Sequence, residues 1–222
     1  VAVRMRKEYI KNTKKTMNRE KILGQIADEC ILHGVKFNLS PEKSIIYPNS
    51  TMTCSGYFID YGHPELAVAT DKPELEWLMV LLHESCHMKQ WIEKSDFWVD
   101  SFIDGRESID YINEWVEGKE FTNEELKKLS ILARDVEWDC EKRTIERAKA
   151  FNLNINYTEE IQRANSYILF YNFILETRKW YKTEFAPYRI REVWSLAPKD
   201  FNYDKTLPVS KELKEAYLKY CF

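Results

Sequence analysis

A chain of 222 residues, 44% hydrophobic and 31% charged, is long enough for one globular domain with a real core. Thirteen Tyr, eleven Phe and seven Trp against six Gly and seven Pro exclude collagen-like and low-complexity architectures. A formal net charge of -3 supplies no global field that would draw the protein to nucleic acid or to an anionic membrane.

Residues 1–19 form a basic arm, with Arg4, Arg6, Lys7, Lys11, Lys14, Lys15 and Arg19 against Glu8; a solvated face is the simple reading, a nucleic-acid or partner contact the other. Nothing in the opening residues resembles an apolar signal core, and Leu78 to Leu82, the longest apolar run, is far too short to span a bilayer. Neither secretion signal nor transmembrane helix is expected. Five scattered cysteines, Cys30, Cys54, Cys86, Cys140 and Cys221, contain no CxxC pair, which points to a reducing, intracellular (cytoplasmic) compartment and away from a disulfide framework.

From Met17 to His33, Ile22, Leu23, Ile26, Ala27, Cys30 and Ile31 recur at helical spacing, and Gly34 stands where a C-terminal cap belongs. Short β-rich runs come next at 35–39, 44–47, 53–60 and 66–70, separated by Ser40-Pro41, Pro48-Asn49 and Tyr61-Gly62-His63-Pro64. They predict a small antiparallel sheet of three or four strands. Asp71 then reads as an N-cap, with Pro73 in the first turn and Glu74 three residues after the cap, opening a helix over Leu75 to Trp91.

The remainder reads as mainly helical: around Asp96 to Phe102, around Ser108 to Glu117, and from the capping pair Thr122 and Glu125 to about Phe151. Thr158 is the expected cap of a further helix reaching Trp180, and a last short helix comes after Ser210. The fold class is therefore α+β, organised as one domain with the arm at 1–19, helix, sheet and motif helix at 20–94, and a helical part at 95–222.

His83-Glu84-Ser85-Cys86-His87 matches HExxH inside a segment that reads as helix without it. A four-residue step on an α-helix turns by roughly 40° and rises about 6 Å, so both imidazoles leave one face and can reach one ion. Neutral imidazoles in a tetrahedral set suit Zn²⁺. Glu84, next to the first ligand, is the candidate general base acting on water. The competing reading makes His83 and His87 ordinary helix residues.

A catalytic zinc needs a third protein ligand. His33 and His63 both precede the motif, so no third histidine lies downstream of it and a carboxylate is expected. Asp135-Val136-Glu137-Trp138-Asp139-Cys140-Glu141 places Glu137 and Glu141 one turn apart on a helix studded with apolar residues, where an unpaired carboxylate would be costly.

The two segments together resemble gluzincins, HExxH peptidases whose third ligand is a Glu on a second helix. In HtpX-like and CAAX-processing endopeptidases that helix carries ExEAD, and Glu137 to Glu141 looks like a relaxed version, with Asp for Glu, Cys for Ala and Glu for Asp. The resemblance implies that Glu137 is the ligand and that Glu141 takes the place of the acidic residue that orients a ligand histidine. The element order is more loosely similar to zincins of the ImmA/IrrE type, and the segment around Glu137 together with Arg163 to Tyr167 to metallopeptidases predicted in bacteriophages. These likenesses imply a zincin-like fold, Zn²⁺ and a peptide or protein substrate.

Other residues carry two readings each. Tyr167, Tyr171 and Arg163 could stabilise an oxyanion or contact substrate, or simply pack. The run from Leu66 to Thr70 could be an edge strand that pairs with extended substrate or an internal strand. His63 could touch substrate or stand exposed in its turn. Cys86 and Cys54 could be ligands in a deformylase-like amide hydrolase, or small buried hydrophobes. A zincin-fold metal-binding protein with a regulatory, partner-binding role is the remaining alternative.

Overall fold

A computed structural model describes residues 18–206 and 208–222; the basic arm, apart from its last residues 18 and 19, lies outside them. The protein is mixed α and β, with small sheets and a predominance of helix. The chain groups into two compact units, one made of the residues up to Glu93 together with Glu146–Asn154, the other of Lys94–Ile145 with Ile155–Phe222. Among the described residues no helix is long and apolar enough to cross a membrane.

In the first unit, helix α1 covers 18–32 and buries Ile22, Ile26 and Cys30 completely. Gly34 ends it at φ +67, and the Val35 amide donates back to the Cys30 carbonyl at 2.8 Å, as the left-handed helix stop requires. Then come β1 (Lys36–Ser40), β2 (Ile45–Ile46), β3 (Thr53–Cys54), β4 (Gly56–Ile59) and β5 (Glu65–Ala69).

The main sheet has the order β1-β5-β4. Its β1/β5 pair is parallel, from Lys36 opposite Glu65 to Ser40 opposite Ala69, and its β5/β4 pair antiparallel. The sheet is thus mixed, where sequence periodicity suggests an antiparallel one. The chain between β1 and β5, which holds the β2/β3 hairpin and β4, is long enough for the crossover that parallel pairing needs. The central position of β5 also decides its role: it is an internal strand, and Leu66, Ala67, Val68 and Ala69 are wholly buried.

Helix α2 (Glu74–Glu93) lies against β4 and β5. It begins just after Pro73, whose carbonyl accepts from the amides of Glu76 and Trp77, so the helix opens later than an Asp71 cap would place it. Leu78, Leu81, Leu82 and Met88 fill the core, Cys30 donates its thiol proton to Met88 Sδ at 3.6 Å, and Phe58 meets Trp91 with ring centroids 5.6 Å apart. The chain returns to this unit at 146–154, where Arg147 donates to Glu29 Oε2 and to Ser85 Oγ, both at 3.1 Å.

The second unit runs through α3 (Asp96–Asp100), the hairpin β6 (Phe102–Ile103) and β7 (Arg106–Glu107), α4 (Ser108–Val116), α5 (Asn123–Ala150, whose last turn belongs to the first unit), α6 (Tyr157–Thr177), α7 (Arg191–Trp194) and α8 (Lys211–Tyr220). Thr122 and Glu125 form a reciprocal capping box, amide to carboxylate at 2.7 Å and amide to hydroxyl at 3.2 Å. Asn156, not Thr158, caps α6 by accepting from the Glu159 amide. The core gathers Ile112, Leu129, Phe170, Tyr171, Phe173, Ile174, Val193, Leu213 and Tyr217. Ser130 Oγ donates to the Tyr171 carbonyl and Arg134 donates to Asn172 Oδ1, which fastens α5 to α6.

Candidate functional site

His83, Glu84 and His87 are half-buried on α2, which is helical throughout the motif. The two imidazoles stand edge to face, centroids 4.8 Å apart with planes at 84°. Two imidazoles so close, each able to offer a ring nitrogen, are a suitable donor pair for one borderline cation. His87 has a partner that the motif does not name: its Nδ1 lies 2.9 Å from Oε1 of Gln90, a side chain with no solvent exposure. At 100° per residue, positions 83, 87 and 90 fall within about 60° of arc. They form one stripe along the helix.

Glu84 lies about 100° round from His83, toward the sheet. It faces Gly56, the first residue of β4. A Cβ built at Gly56 would sit 2.7 Å from Val80 Cγ1, 3.1 Å from the Ala67 carbonyl oxygen and 3.1 Å from Glu84 Cγ. Real Cβ atoms essentially never come within 3.0 Å, so the bare backbone is what allows helix and strand to approach here. Burial, and after it the charge of Glu84, push the neighbouring Cys54 thiol up to about 11. That thiol also lies 3.7 Å from the Ile45 carbonyl oxygen. Cys86, by contrast, is wholly buried in the core. His63 is exposed in its turn.

In the second unit the carboxylates of α5 separate by partner. Asp135 accepts from Arg134 at 2.9 Å and pairs with Lys205 at 3.1 Å, and Asp139 accepts from Arg143 at 2.6 Å. Glu137 stands near buried phenols: burial first, and then its charge, hold the hydroxyl protons of Tyr167 and Tyr171 on well above the ordinary tyrosine range. Glu141 lies toward the first turn of α6, where burial above all raises the Glu160 carboxyl, Arg163 lowers it, and the charge of Glu141 adds to the rise.

The three residues weighed as oxyanion or substrate contacts have partners within the protein. The hydroxyls of Tyr167 and Tyr171 bond to each other at 2.7 Å, and Tyr171 is 2% exposed. Arg163 Nη1 donates to the Tyr188 carbonyl at 2.7 Å, and its guanidinium lies 4.7 Å from the centre of the Trp194 ring.

Sequence reasoning misses Gln90 and Gly56. The signals are present: a polar residue three positions after the second histidine, on its face, and a glycine inside a β-rich run. Neither has meaning until burial and the strand opposite are known. No protein-family model, no curated protein and no solved structure matches the chain.

Proposed function

We propose that the chain is a zincin-like metallopeptidase of the gluzincin kind, hydrolysing peptide bonds with Zn²⁺ held by His83, His87 and a ligand from α5. The observation that carries this reading is the imidazole pair at 4.8 Å on one face of α2, with Glu84 one residue from the first imidazole. A zinc ion bound there supplies Lewis-acid polarisation of a substrate carbonyl and lowers the pKa of water. Glu84 takes the proton of the attacking water and passes it to the leaving amine.

Glu137 is the proposed third ligand. The likeness of its segment to the second helix of gluzincins, where the first Glu is the ligand, supports it over Glu141. Cys140, wholly buried on the same helix, is the sulfur competitor. A sulfur ligand would move the reading toward a deformylase-like amide hydrolase. Five cysteines outside any disulfide fit action in a reducing, cytoplasmic setting.

The test begins with zinc content after dialysis and hydrolysis of a fluorogenic casein. One bound zinc and measurable cleavage are expected. Glu84→Gln should retain the zinc and lose about 10²–10⁴-fold in rate. A Glu84→Gln variant that cleaves at the parent rate would sink the peptidase reading, and cleavage absent from both, with zinc bound, would leave the metal-binding regulatory alternative.

A further inference from the structure

We propose that Gln90 is the positioning residue that fixes the tautomer of His87: the ring keeps its proton on Nδ1, donates it to the Gln90 amide oxygen, and presents bare Nε2 to the metal. The proposal deepens the zinc reading above and rests on it for the metal, but not for the tautomer.

Donor and acceptor chemistry selects the tautomer. An amide oxygen only accepts, and Oε1 of Gln90 faces Nδ1 at 2.9 Å, so the complementary arrangement puts the hydrogen on Nδ1. A neutral imidazole has one N–H, which leaves Nε2 with its lone pair, the form a metal requires. Imidazole side chains in open solvent sample both tautomers and rotate about two bonds. A metal site on a mobile ring would lose affinity to that freedom, and a buried hydrogen-bond partner on the ring's other nitrogen removes it.

Burial supports the same reading. Gln90 has no solvent exposure, and a primary amide is costly to bury unless its oxygen and its NH₂ find partners. A residue chosen only to fill that space would be Leu or Met. The side chain is also neutral. A carboxylate at this place would draw the Nδ1 proton and raise the basicity of Nε2, whereas glutamine orients the ring and adds no charge beside the imidazole. The resemblance to gluzincins gives the orienting role to an acidic residue on the second helix; here the same helix that carries the ligand supplies it, one turn later.

The experiment is a long-range ¹H–¹⁵N correlation of the histidine side chains in metal-free protein at about pH 8, with a zinc titration against a chelating indicator. Four histidines make the assignment short. In the parent protein His87 should carry its proton on Nδ1. Gln90→Leu should shift His87 toward the Nε2–H tautomer and weaken zinc about 10–100-fold. Gln90→Glu should keep the Nδ1–H form and bind zinc at least as tightly, and it serves as the folded comparison if Gln90→Leu does not fold.

A parent His87 found as Nε2–H overturns the proposal, as does a Gln90→Leu variant with unchanged tautomer and affinity. Parent protein that takes up no zinc but shows Nδ1–H would end the zinc reading while upholding the tautomer assignment.

Discussion

Helices α2 and α5 hold their functional candidates in opposite ways. On α2 the apolar residues Leu78, Leu81, Leu82, Cys86 and Met88 are buried, and the polar stripe of His83, His87 and Gln90 is set by helical period alone. On α5 apolar burial is sparser, and polar bonds fix the helix: a capping box at Thr122, Arg134 on Asn172, and Arg147 on Ser85 and Glu29. A site on the first kind of helix is dictated by spacing. One on the second is not: His83 and His87 can be named as candidates from spacing, whereas the choice between Glu137 and Glu141 rests on likeness to a family pattern.

The sharpest way to break that contrast is to exchange candidates on α5. Glu137→Gln is expected to weaken zinc by more than the roughly 10–100-fold that loss of an orienting partner costs, while Glu141→Gln changes it less and Cys140→Ser leaves it near the parent value. A chelator competition in which Cys140→Ser shows the large loss would transfer the third ligand to sulfur, and with it the preferred reaction class.

A smaller effect is expected where α2 meets the sheet. Gly56→Ala forces its Cβ into Val80 and Glu84 and should destabilise the fold by about 1–3 kcal/mol, as overpacking does. Adding Val80→Ala relieves the 2.7 Å contact and leaves the one at Glu84. Urea unfolding should therefore recover in the double variant while hydrolysis does not. Recovery of both would mean that Gly56 serves only packing.

The smallest change concerns the start of α5. Thr122→Ala removes the hydroxyl that accepts from the Glu125 amide and should cost about 1 kcal/mol in thermal unfolding. Zinc affinity should stay within about twofold, since the cap lies about four turns from Glu137. A marked loss of zinc would show that α5 transmits its N-terminal anchoring to the ligand after all.

Local chemistry makes much of the fold legible. The Thr122 and Glu125 pair forms the box its spacing predicts, Ser210 caps α8 by accepting from the Leu213 amide, and Gly34 takes the left-handed conformation its place after a helical run requires. The hairpin of β6 and β7, absent from the expected elements, carries an equally local signal: Asp104 and Gly105 both have positive φ, the turn that an Asp-Gly dipeptide favours. Asn156 prevails over Thr158 because its side chain reaches the Glu159 amide. The parallel pairing of β1 with β5 is invisible to periodicity, since alternation fixes which face of a strand is buried and says nothing of its neighbour.

The sequence by itself determined the histidine pair, because residues four apart on one helix return to the same face whatever surrounds them. Tertiary structure decided what borders that pair. Gln90 has its proposed role because packing removes it from water, and Glu84 has its place because a strand residue far from it in the chain, Gly56, carries no side chain. Short-range geometry is carried by the covalent chain; desolvation and clearance exist only once distant segments meet.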